Sequence, residues 1–103
     1  MRKELRSKSL PEIKAILSSH KHELRKEFGV KSIGVFGSYV RKKNRKEGDI
    51  DILVELEISM GFFKFLRLEK HLSQLLGVQV DLVTKNALKP FIGKHILAEI
   101  QYV

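Results

Sequence analysis

The chain has 103 residues, 43% apolar and 31% charged, a balance that suits one domain with one hydrophobic core and excludes an intrinsically disordered chain. It contains no cysteine, which excludes disulfides and thiolate metal sites, and no apolar run near the ~18 residues that span a bilayer. Its 20 Lys and Arg against 12 Asp and Glu give a net charge of +8, which attracts nucleic acid, nucleotides or an acidic protein unless it serves solubility alone.

The opening "MRKELRSKSLPEIK" has no apolar stretch after its charges, so no secretory signal is read there and the expected location is cytoplasmic. From Ser9 to Phe28 the pattern predicts one amphipathic helix, with Leu10, Ile13, Leu17, Leu24 and Phe28 near one face. Ser9 and Glu12 have capping-box spacing, Pro11 sits in the tolerant first turn, and Gly29 is a stop. "VKSIGVF" predicts a strand ending at Gly37. Residues 38–47 predict a short helix and a loop, punctuated by Gly48.

"DIDILVEL" predicts a second strand whose Ile50, Ile52 and Val54 share one face. "GFFKFLRLEKHLSQLLG" predicts a helix with Phe62, Phe65, Leu68, Leu72 and Leu75 on one stripe and Gly77 as its stop. "VQVDLVT" predicts a third strand. "PFIGKHILAEIQYV" predicts a last helix with Ile96, Leu97 and Ile100 apolar. The order α-β-(α)-β-α-β-α predicts a sheet covered by helices.

Strand alternation carries the functional inference. With Ile50, Ile52 and Val54 in the core, Asp49 and Asp51 project together from the other face; on the third strand Val78, Val80 and Leu82 share a face and Asp81 takes the opposite one. Taken singly, each Asp reads as a turn or strand-edge residue. If the two strands pair, three carboxylates meet on one patch and raise one another's pKa unless a cation lies between them. All-oxygen ligands favour a hard divalent ion, Mg²⁺ or Mn²⁺.

Gly37-Ser38 supplies a complementary half. A strand ending in Gly, followed by Ser opening a helix, offers backbone N–H groups and a hydroxyl to an anion, although Ser is a common helix cap in any case. Beside a metal site the turn describes a triphosphate pocket. Other motifs fail: there is no Walker A, no G-x-G-x-x-G, and Leu53 and Val54 break any EF-hand pattern. His20, His22, His71 and His95 have no zinc spacing and are expected on helix surfaces. "RKKNRK", Arg41 to Lys46, reads either as a solvated loop or as a contributor to nucleotide or partner binding; Arg41, one turn after Ser38, is its best candidate.

Gly37-Ser38, ten intervening residues, then Asp49-x-Asp51 resembles the signature of the DNA polymerase β-like nucleotidyltransferase superfamily, and the chain is most similar to its minimal branch, the MNT-domain antitoxins. The likeness extends through Arg41 in "GSYVR", the "DIDILV" strand, Asp81 in "LEKHLSQLLGVQVDLVT", and the terminal "ALKP" and "ILAEIQYV". It implies an α+β fold, a small mixed β-sheet flanked by helices, forming a single nucleotidyltransferase domain over residues 1–103. It also implies that Asp49 and Asp51 bind Mg²⁺, that Asp81 completes the metal site and helps activate the attacking hydroxyl, and that Gly37 and Ser38 contact the phosphates of ATP. Two positions depart from many relatives: Gly48 stands where Ser or Thr precedes the first Asp, and Lys42 where Gly follows the motif arginine.

The activity so implied is Mg-dependent transfer of AMP from ATP to a tyrosine of a HEPN-domain toxin RNase. With little chain beyond the core, the acceptor is expected on a docking protein. A second reading is a non-catalytic antitoxin that neutralises such a toxin by binding. A third, a nucleic-acid-binding module, rests on charge alone and ranks last, because no aromatics interleave with the basic residues on a β face. Phe62, Phe63 and Phe65 read as core by their spacing, with a partner surface as the alternative.

Overall fold

Local hydrogen bonds start the first helix where the sequence places it. The computed structural model describes residues 8–41, 49–88 and 90–103. Helix α1 (Leu10–Ser19) opens with a complete capping box: the Glu12 N–H donates to Ser9 Oγ at 3.2 Å, and the Ser9 N–H donates to Glu12 Oε1 at 2.8 Å.

The single helix expected from Ser9 to Phe28 is in fact two, because α2 (Lys21–Phe28) begins anew after His20. In an unbroken helix the Ile16 carbonyl would accept the His20 N–H. Instead it accepts from Ser19 Oγ at 3.0 Å and lies 2.9 Å from His20 Nδ1, while the His20 N–H turns to the Leu17 carbonyl at 3.1 Å. Side chains thus compete with the helix ladder at the Ser19-His20 step. The apolar face survives the break: Ile13, Leu17 and Leu24 are fully buried, and Leu10 and Phe28 pack at its margin.

Strand β1 (Val30–Phe36) leads through Gly37 into the one-turn helix α3 (Ser38–Arg41). Strand β2 (Ile50–Leu56) is followed by α4 (Phe62–Leu76), β3 (Val80–Thr84), a 3₁₀ turn (Lys85–Ala87), α5 (Pro90–Glu99) and β4 (Gln101–Tyr102). The four strands form one mixed sheet in the order β3-β2-β1-β4. β1 runs antiparallel to both β2 and β4, whereas β2 and β3 are parallel, joined by the α4 crossover that a parallel pair requires. Among the described residues no helix is long and apolar enough to cross a membrane.

Burial follows the strand alternation. Ile33, Val35, Ile50, Ile52 and Val54 are fully buried against Ile13, Leu17 and Leu24 of α1 and α2 and Leu68, Leu72 and Leu76 of α4. The stripe on α4 differs from the expected one. Leu68, Leu72 and Leu76 form it at intervals of four, Phe65 and Leu75 flank it, and Phe62 is 67% exposed. Phe62 lies six residues, about 9 Å of helix, ahead of Leu68. The first turn of α4 therefore overhangs the core, and Phe62 and Phe63 stack edge-on with ring centres 5.5 Å apart.

The third strand starts at Val80, two residues later than expected, with Val78 packed at the core margin. Its outward amides are covered by α4: the Val80 N–H donates to Ser73 Oγ at 3.0 Å and the Leu82 N–H to Glu69 Oε2 at 3.0 Å. The last helix is also shorter than expected. It ends at Glu99, and the chain then adds β4 to the free edge of β1, pairing Tyr102 with Gly34 and Gln101 with Val35. The Val103 N–H extends the ladder to the Ile33 carbonyl at 3.0 Å. Gly34 makes room for this segment, since a Cβ there would come within 2.7 Å of the Ile100 side chain.

Candidate functional site

Parallel pairing of β2 with β3 places Asp51 directly beside Asp81. Their backbones are therefore one strand spacing apart, about 4.8 Å. Asp49 stands just ahead of β2; it and Asp81 are exposed, whereas Asp51 is half-buried. The three aspartates thus stand at one end of two adjacent strands, near enough for the charges of Asp81 and Asp49 to act on Asp51.

Gly37 closes the other side. Its φ of +79° lies in the left-handed region, and a Cβ at this position would overlap Asp51 Oδ2. Glycine is needed both for the turn and for its close approach to the carboxylate. The Gly37 carbonyl accepts from the Val40 and Arg41 N–H groups at 3.0 and 3.1 Å, which starts α3 with Ser38 as its first residue. One turn on, Arg41 is brought to the same cleft.

A residue that the sequence does not mark joins them. Glu99, the last residue of α5, accepts the Gly37 N–H at Oε2 over 2.9 Å, and Arg41 Nη1 donates to its Oε1 at 2.9 Å and Oε2 at 3.1 Å. The Gly37 N–H expected to face an anion thus already binds one, supplied by the chain itself. Gly37, Arg41, Asp51, His95 and Glu99 line a cleft of about 450 Å³; Asp49 and Asp81 are near Asp51 but are not among the residues that line the cleft. His95 and Glu99 lie one helical turn apart, a spacing visible in the sequence. Nothing in the sequence, however, shows that this turn of α5 lies over Gly37.

The remaining histidines divide. His22 and His95 are exposed, His20 occupies the break between α1 and α2, and His71 is half-buried with its ring 5.7 Å from Phe28. Of the basic run only Arg41 can be placed; residues 42–46 and Gly48 lie outside the described residues. A larger cleft, about 550 Å³, lies where Leu56, Met60, Phe62, Phe65, Thr84 and Asn86 meet. It contains none of the three aspartates and sits at the opposite end of β2, four or five residues or roughly 13–17 Å away.

Charge crowding is visible at Asp51. Its carboxyl is raised from an ordinary 3.8 to about 6, first by burial and then by the charges of Asp81 and Asp49; Glu99 adds to the rise and Arg41 opposes it. Among the described residues, no three His, Cys, Asp or Glu side chains stand close enough together to grip a metal ion as they are placed. The donor set nevertheless fits a hard divalent cation: it is all oxygen, and its mutual repulsion at Asp51 is what such a cation would relieve. To hold one, the three carboxylates would have to draw closer together than they stand.

Comparison with known proteins identifies the family and the fold. The nucleotidyltransferase-domain family model matches residues 17–103. The protein adenylyltransferase MntA of Thermococcus cleftensis is 52% identical over 95 residues, which span 92% of this chain and 96% of that protein. A solved structure described as a minimal nucleotidyltransferase is 32% identical and superposes with a TM-score of 0.67 over 88% of each chain. A chain from the complex of tri-AMPylated Shewanella oneidensis HEPN toxin with MNT antitoxin superposes with a TM-score of 0.64 over 87% of this chain and 70% of its own length; at 21% identity this is a likeness of fold.

Proposed function

The chain belongs to the nucleotidyltransferase-domain family, and from that membership we propose that it transfers AMP from ATP to a tyrosine hydroxyl of a HEPN-domain toxin RNase, as the antitoxin of the pair. Two findings support this reading: the 52% identical relative is a protein adenylyltransferase, and a structure of like fold comes from an MNT antitoxin complexed with an AMPylated HEPN toxin. The observation that carries it is the in-register pairing of Asp51 with Asp81, with Gly37 turned against Asp51.

Asp49, Asp51 and Asp81 would hold Mg²⁺, or Mn²⁺ in its place. When bound, the ion supplies charge neutralisation along the triphosphate and on the departing pyrophosphate. Gly37 and Ser38 clamp phosphate oxygens, and Arg41 adds a positive charge at the same end. Asp81, exposed at the edge of the sheet, accepts the proton of the acceptor hydroxyl. The hydroxyl oxygen then bonds to the α-phosphorus, and the bond from that phosphorus to the bridging oxygen of pyrophosphate breaks. The docked partner supplies the acceptor.

Intact-mass measurement of the copurifying partner after incubation with ATP and Mg²⁺ tests the activity. The wild type should add one or more AMP-sized increments, and an Asp49→Asn, Asp51→Asn double variant none. An unmodified partner that still binds yet gains no mass would refute AMP transfer and leave neutralisation by binding.

A further inference from the structure

Among the described residues, Asp51 and Glu99 are the carboxylates that line the cleft, and Glu99 does not come from the sheet. It comes from the opposite side, on α5, and it engages the two groups that a phosphate would need. The Gly37 N–H and the Arg41 guanidinium both point at its oxygens, at 2.9 to 3.1 Å, the range of charge-assisted bonds to carboxylate or phosphate. The side chain is 25% exposed, so it is largely withdrawn from water at that position. We propose that Glu99 fills the phosphate seat of the nucleotide-free protein, and that ATP binds by displacing its carboxylate from Gly37 and Arg41. The inference rests on the reading of Gly37 and Arg41 as a phosphate clamp and names the residue that regulates it.

Chemistry and attachment both favour exchange. A triphosphate carries more charge than a carboxylate and offers more oxygens to the same two donors, so both ligands cannot hold the seat together. Glu99 also lies within electrostatic reach of Asp51, whose charge repels it. Within the last turns of its helix little apolar burial holds it: Ile96 is half-buried and Leu97 is 43% exposed. Glu99 is followed at once by Ile100, seated over Gly34, and by β4. Its release is therefore coupled to the C-terminal segment. Anything that draws that segment away from β1 raises affinity for ATP, and ATP reciprocally loosens the segment.

Calorimetric binding of α,β-methylene-ATP with Mg²⁺ tests the proposal, because the P–C–P bridge of this analogue cannot release AMP. The proteins compared are the wild type, Glu99→Gln, Glu99→Ala, and a charge-matched control, Glu57→Gln, whose partner Arg25 lies outside the cleft. Both Glu99 variants should bind about tenfold tighter than the wild type, the equivalent of about 1.4 kcal/mol, while the control stays within twofold. Gln keeps the shape of Glu, so the comparison survives if the Ala variant folds poorly. Unchanged or weaker binding by the Glu99 variants overturns the inference, makes Glu99 a positioning residue for Arg41, and leaves the nucleotide reading standing. No binding by any of the four proteins overturns the nucleotide reading, and this inference with it.

Discussion

Helices α4 and α5 both carry apolar residues at helical spacing, yet they are held in different ways. On α4, Leu68, Leu72 and Leu76 are fully buried beneath 15 residues of helix. The 10-residue α5 leaves Leu97 43% exposed, and its Glu99 carboxylate ties it to Gly37 and Arg41. An apolar stripe gives stability that no ligand can compete for. A carboxylate in an anion seat gives a contact that another anion can take over. The helix held by the apolar stripe contributes no residue to the lining of the cleft, whereas α5 contributes His95, Ile96 and Glu99.

The largest effect should come from breaking the apolar side of this contrast. Leu72→Ala removes a fully buried side chain and should cost about 2–5 kcal/mol, read from urea unfolding. A loss below about 1 kcal/mol would contradict the view of α4 as the anchoring helix. Next in size is Gly37→Ala, which forces a Cβ into the Asp51 carboxylate at a left-handed φ. It should cost about 1–3 kcal/mol and weaken binding of the ATP analogue, both measured on one preparation.

A smaller effect, of opposite sign, is expected at Asp51. Its folded pKa of about 6 lies above the ordinary 3.8, so the folded state binds the proton more tightly than the unfolded one. For this group, stability is greatest below pH 3.8, falls as pH rises toward 6, and is lowest above it. In metal-free protein at pH 8, Asp51→Asn should therefore stabilise. Solvent screening of a half-exposed group leaves about 1 kcal/mol of that gain, or a melting temperature about 4–8 °C higher. Scanning calorimetry at pH 8 and pH 5 checks it, and a gain as large at pH 5 as at pH 8 would assign the effect to packing. The smallest change is Leu97→Ala, within about 0.5 kcal/mol, because its side chain stabilises little where it now lies.

The same contrast explains how far the sequence could be read. The capping box, the burial of Ile50, Ile52 and Val54, and the outward setting of Asp51 and Asp81 all follow from local periodicity, and the structure has these, with Asp51 and Asp81 in register. The misjudged places depend on what a residue meets far along the chain. Phe62 has core spacing but overhangs the sheet, and the break at His20 comes from side chains bonding to a carbonyl that a pattern of apolar residues does not register. β4 is two residues long, too short for any period, and exists because β1 has an open edge. Glu99 was illegible for the same reason: its partners Gly37 and Arg41 lie 62 and 58 residues earlier.

The covered amides of β3 have a consequence beyond catalysis. β3 is an outer strand, and its parallel pairing with β2 leaves alternate N–H groups pointing away from the sheet. With the Val80 and Leu82 amides committed to Ser73 and Glu69, a stray strand arriving at this edge finds donors already spoken for. The rim beside Asp81 is therefore poorer in free donors for the strand-by-strand stacking through which exposed sheets aggregate. A visiting chain thus meets the exposed Asp81 side chain more readily than free backbone donors at this edge.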